Sequence, residues 1–169
     1  MHVKTKNITF LGILLAFTVI LVYGGTVIET NTLFFLCAAS FCLGIAIREC
    51  GNKMGSAFFV ACSLLTFILI PNKMYCITLA AMNFYILVRA FSERKIPRIF
   101  RYVKYVFFNI FYIPALCLAP SLLYTGKINA YVLIGLWIGG QIGFAVYDYV
   151  YTWFIEHFWQ NFRKRLFQE

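Results

Sequence analysis

Residues 89–104 read RAFSERKIPRIFRYVK, carrying Arg89, Arg94, Lys95, Arg98, Arg101 and Lys104 against the single acid Glu93. No other long polar interval separates the two apolar halves of the chain. Lys and Arg beside a membrane span resist translocation, so a basic interval of this kind stays on the cytoplasmic side and sets the direction of the helices flanking it. The architecture follows from where this interval lies.

Outward from it, the 169 residues are 62% hydrophobic and 20% aromatic with 12% charged. A soluble domain of this length needs more polar surface than that. Apolar runs of about 15 to 21 residues recur along the chain, close to the length of one helical crossing of a bilayer. They predict an all-α, polytopic membrane protein with six transmembrane helices over 8–28, 32–48, 54–70, 74–91, 105–124 and 130–154. These form one membrane domain over 1–169, with a basic cytoplasmic loop at 89–104 and an amphipathic tail at 155–169. Lys4 and Lys6 ahead of the first run imitate a secretory signal, but the run is long for one and is followed by YGG instead of a small-residue cleavage site. It reads as a retained first span.

Placing the N-terminus inside puts Lys4, Lys6, Arg48, Lys53, the six cations of 89–104, Arg163, Lys164 and Arg165 on the inner side. Only Lys73 and Lys127 remain outside, thirteen against two of the fifteen Lys and Arg. Six spans then return the C-terminus to the cytoplasm, and the expected location is the cell membrane. In the same frame Tyr102, Tyr105, Tyr149, Tyr151, Trp153 and Trp159 fall at the inner interface, and Tyr23, Tyr75, Tyr124 and Tyr131 at the outer one.

The net charge of +9 sits at the edges of apolar runs and not across one folded face, which points to anionic lipid headgroups and away from nucleic acid. Six cysteines show no CxxC pair and lie mostly inside apolar runs, as small reduced hydrophobes do. No metal or cofactor is expected. Nor is catalysis: HExxH, GxSxG and a phosphate loop are all missing, and both histidines, His2 and His157, lie near the chain ends.

Two further segments are amphipathic. Ile96, Ile99, Phe100 and Val103 recur at helical spacing behind Pro97, and Phe158, Trp159, Phe162 and Leu166 repeat the pattern around the basic tail. They fit helices lying in the inner interface, or docking elements for a partner.

Gly135, Gly139 and Gly143 fall at four-residue intervals in the last span, AYVLIGLWIGGQIGFAVYDYVYTWF, and Gly12 and Ala16 repeat the spacing in the first. In lipid, close backbone approach is a main source of packing energy, so this ridge meets another helix, in this chain or in a partner. Ser40, Ser63, Asn83 and Gln141 are polar groups at similar depth. They serve either as interhelical hydrogen bonds or, with Asn83 and Gln141 foremost, as the lining of an outward-opening ligand cavity. Pro114 and Pro120 break the fifth span for packing or for binding. The outer stretch GGTVIETN, Gly24 to Asn31, holds Glu29 beside a glycine pair, as an ordinary turn or as a lid. Asp148, near the inner end of the last span, pairs with a cytoplasmic cation such as Arg48 or Arg101.

Six spans in a chain of this length, both ends inside and the Gly12/Ala16 motif in the first helix together resemble the substrate-binding S components of energy-coupling factor (ECF) transporters. IRECGNKMG (Ile47 to Gly55), LIPNK (Leu69 to Lys73) and YDY (Tyr147 to Tyr149) also resemble stretches of small membrane proteins of Gram-positive bacteria for which no activity is known. The S-component resemblance implies capture of a vitamin-like small molecule or metal ion from outside, then docking through Gly12 and Ala16 on a transmembrane coupling subunit driven by two cytoplasmic ATPases. Ligand residues in that family differ by substrate and none transfers; by position alone, the outer loop with Glu29 and the outer halves of spans four to six would form the pocket. The competing expectation is a membrane-embedded interaction or assembly subunit with a filled interior and no small-molecule substrate.

Overall fold

The computed structural model describes residues 2–95, 100–118 and 130–161. Among them the chain is helical without strands. It divides into two compact units, Met1–Lys95 and Ile96–Glu169. Five helical stretches are long and apolar enough to cross a membrane: Thr5–Val27, Thr32–Cys50, Asn52–Leu69, Lys73–Glu93 and Tyr131–Trp159. The fifth expected span, 105–124, is described only as far as Leu118, within a helix that begins at Phe100 and includes Arg101 and Lys104. Pro114 lies inside that helix; Pro120 lies outside the described residues.

The first unit holds α1 (His2–Val27), α2 (Thr32–Cys50), α3 (Asn52–Leu69) and α4 (Lys73–Lys95). Its connections are short because each turn is chemically specified. Gly51 ends α2 at φ 84° and ψ 169°, a conformation that only glycine adopts readily, and the chain reverses into α3 over that single residue. Pro71 forces Ile70 into an extended conformation and stops α3. Lys73 Nζ donates to the carbonyls of Phe67 at 2.6 Å and Ile70 at 3.1 Å, closing the C-terminus of α3, while Asn72 Oδ1 accepts the Met74 N–H at 3.1 Å and caps α4. The LIPNK stretch is therefore a turn in which nearly every residue has a structural task.

Between α1 and α2 a 3-10 turn spans Glu29–Asn31. Gly24 and Gly25 do not form a hinged lid: they belong to α1 and lie against the Phe35 ring and its Cβ, and Thr32 Oγ1 donates to the Gly25 carbonyl at 3.0 Å. A side chain on either glycine would press on Phe35.

The centre of this unit is α2, which packs on α1, α3 and α4. From Ala39 to Ile47 every residue is buried, and five of these nine are Ala, Ser, Cys or Gly. A helix enclosed on all sides must be apolar or small throughout, and small residues bring the neighbouring backbones close. Gly55 of α3 meets Ile47 of α2 where a Cβ would overlap its side chain. Hydroxyls in the helices return their protons to their own backbone: Thr18 to Leu14 O at 2.8 Å, Ser40 to Cys37 O at 2.7 Å and Thr66 to Cys62 O at 2.7 Å. That satisfies a donor where water is excluded.

The interval 89–104 is not a loop where it is described. Residues 89–95 continue α4, and residues 100–104 open the helix that follows. Arg89, only 8% exposed, is an interior residue and donates to Glu93 one turn on at 2.9 Å. Ile96, Pro97 and Ile99 lie outside the described residues.

The second unit holds α5 (Phe100–Leu118) and α6 (Ala130–Trp153), the latter running on as a π-helix over Phe154–Trp159. In the tail, Phe158 is exposed but Trp159 is buried. The wider π-helical turn changes the residue spacing through Phe158 and Trp159. Phe162, Leu166 and the basic triplet at 163–165 lie outside the described residues.

Candidate functional site

The last span presents two faces of opposite character. Towards α5 it is closely matched. Tyr112 Oη donates to the Leu136 carbonyl at 2.8 Å, and the Tyr112 ring lies over Gly140, where a Cβ would overlap it. One turn away Gln141 Nε2 donates to Asn109 Oδ1 at 2.7 Å and Trp137 Nε1 to the same oxygen at 3.3 Å, while Asn109 Nδ2 donates to its own helix at Tyr105 O, 2.8 Å away. Below these, Phe108 stacks on Phe144 with centroids 4.4 Å apart and on Tyr112 at 4.9 Å, and Tyr105 meets Phe144 edge-on at 5.6 Å. Lys104 of α5 and Asp148 of α6 form an ion pair, with side chains 16% and 11% exposed.

These α6 contacts fall at Trp137, Gly140, Gln141, Phe144 and Asp148, a helical stripe. At about 100° per residue its centre lies roughly 150° around the helix from Gly139. The glycine ridge is therefore on the other side. Within its unit, Gly135, Gly139 and Gly143 each have open space, with nothing within 4 Å of where a Cβ would stand. Ile142 at 61% and Val146 at 55% exposure flank them. Of the glycines in LWIGGQIG, Gly140 is the one that admits a neighbouring helix, and the regularly spaced three are unpartnered among the described residues of this unit.

In the first unit α1 shows the same division. Leu14, Thr18 and Val22 are buried, whereas Gly12 has nothing within 4 Å of its Cβ position and Ala16 is exposed. Ile13 and Ile20 are exposed on the same helix.

The residues expected to line a pocket have separate surroundings. Asn83 is wholly enclosed inside the first unit, its Nδ2 facing Cys62 Sγ at 3.8 Å. Gln141 is engaged by Asn109 in the second unit, as an interhelical hydrogen bond. Glu29 opens the 3-10 turn, and the role expected of its carboxylate falls outside the described residues. Asp148 pairs with Lys104 of α5, and the Arg101 side chain lies outside the described residues. Among the described residues no three His, Cys, Asp or Glu side chains are placed to hold a metal ion.

Tyr112, Asn109 and Gly140 were not singled out by sequence reasoning. The signal was present: Asn109 and Tyr112 are one turn apart on α5, matching Gly140 and Gln141 on α6. Comparisons with protein-family models, with curated proteins and with solved structures give no match to this chain.

Proposed function

We propose that this chain is a six-span protein of the cell membrane, with both termini cytoplasmic, that acts as a membrane-embedded interaction or assembly subunit. One observation carries this: the ridge of Gly135, Gly139 and Gly143 has no neighbour among the described residues of its unit and lies opposite the stripe that binds α5. Glycine is a costly residue in a helix interior, and in lipid it is useful where a second backbone comes close. The occupant is another transmembrane helix, and the basic segments near residues 89–104 and 163–165 add contacts with its cytoplasmic end and with anionic lipid. The enclosed core of the first unit, with Gly24 and Gly25 fixed on Phe35, favours this role over capture of a small molecule. Gly139→Leu fills the ridge without touching the α5 contacts. It should release the partner during purification in mild detergent while unit stability is retained; co-purification unchanged by Gly139→Leu would refute the proposal.

A second role is favoured by the α1 face. Gly12 and Ala16, which the S-component resemblance assigns to docking, are open to a partner. On that account the partner is a coupling subunit with two cytoplasmic ATPases, and a vitamin-like small molecule is the cargo. Paired ATPases that co-purify with the chain and are lost in Gly12→Leu would support it. A ligand whose binding depends on Glu29, Asn83 or Gln141 would name the pocket.

A further inference from the structure

The Asn83 amide is 0% exposed, yet among the described residues its Oδ1 has no hydrogen-bond partner, and neither has Ser63 Oγ beside Cys62. An amide oxygen left without a partner in a protein interior pays its desolvation with nothing in return. The neighbouring sulfur does not serve it: Cys62 Sγ faces the other end of the amide and accepts from Asn83 Nδ2 at 3.8 Å. Most hydroxyl and thiol protons around it are committed to backbone: Thr18 to Leu14 O, Ser40 to Cys37 O, Thr66 to Cys62 O, Cys42 to Ala38 O and Cys76 to Thr66 O. What remains is the Asn83 amide oxygen, which can only accept, and the Ser63 hydroxyl, which can donate and accept. The guest that fits is small, neutral and able to donate twice while accepting in return. Buried waters typically make about three such bonds to otherwise unsatisfied groups.

We propose that a water molecule is bound at Asn83, donating to Oδ1, as a permanent part of the first unit. It lies at the middle of α4, about ten residues or 15 Å from the start of the helix, and it is independent of what docks on α6. The whole protein with carbon-13 and nitrogen-15 labelled asparagine, reconstituted in bilayers, tests this by solid-state NMR in which magnetisation starts on water. The Asn83 side-chain signal is assigned by its loss in Asn83→Leu, or in Asn83→Gln if the leucine variant does not fold. Transfer from water to the Asn83 side chain should build up to the same order as at Asn72, which is exposed in the α3–α4 turn. Transfer at Asn72 with none at Asn83 would overturn the assignment, as would transfer to Asn83 from the protons of an organic guest and not from water.

Discussion

Replacing Gly140 by alanine should separate the two faces of α6 energetically. The new methyl would overlap Tyr112 at Cζ, Cε1 and Oη, so the ring must swing away. It would give up the 2.8 Å hydrogen bond to Leu136 O and its 4.9 Å stacking on Phe108. An interhelical hydrogen bond in a membrane protein is worth about 0.6–1.7 kcal/mol and an aromatic pair about 0.5–1.5 kcal/mol. Against these stands a gain of up to about 1 kcal/mol for exchanging glycine for alanine within a helix. With the full gain the net loss is about 0.1–2.2 kcal/mol, at its upper end a factor of about 30 to 40 in the folded-to-unfolded ratio. Gly139→Ala meets nothing within 4 Å in its unit and keeps only the gain. Unfolding by sodium dodecyl sulfate in mixed micelles, followed by tryptophan fluorescence, reports on the correct region because Trp137, Trp153 and Trp159 all belong to the second unit. Equal midpoints for the Gly140→Ala and Gly139→Ala proteins would refute the assignment of the two faces.

Gly55→Ala should destabilise the first unit by about 1–3 kcal/mol, as overpacking does, because the added Cβ meets the Ile47 side chain and its Cα; a thermal melt of the purified protein checks this. Lys104→Met should cost about 1.5–3 kcal/mol by removing the Lys104–Asp148 ion pair. The double change with Asp148→Leu should restore much of that, since removing both members of an enclosed pair is often nearly neutral. Asn109→Leu removes the oxygen shared by Gln141 and Trp137, and should cost about 1 kcal/mol for each bond lost. It should also shift the Trp137 emission to shorter wavelength; an unchanged spectrum would contradict the 3.3 Å contact.

Helix positions were legible because a residue pattern long enough to cross a membrane has few alternatives. The described helices begin or end within a few residues of the expected spans, except that α1 starts at His2, before the expected Ile8, and α5 is already helical at Phe100, before the expected Tyr105. Short connections were legible too, since Gly51 and Pro71 punctuate the sequence plainly. The roles of the faces were not. Gly135, Gly139 and Gly143 attract notice by their regularity, yet contact in this unit is made at Gly140, and only the phase relative to Asn109 and Tyr112 reveals that. The central position of α2 was hidden for a related reason. Ala39, Ser40, Cys42, Gly44 and Ala46 lack a repeating motif, and their common property is size. By its charge Arg89 belongs to a polar interval, although helix α4 carries it into the interior, where it donates to the half-exposed Glu93.

Crosslinking in the native membrane identifies what covers the glycine ridge. A photoreactive side chain at Ile142, exposed beside the ridge, reaches the occupant without filling the ridge itself. The interaction role predicts a protein adduct heavier than the 19.5 kDa chain, containing a peptide from a different transmembrane helix and lost when Gly139→Leu is introduced. An adduct that stays within the chain would mean the ridge packs against its own helices, and adducts with lipid alone would mean it has no protein partner; either result contradicts the account.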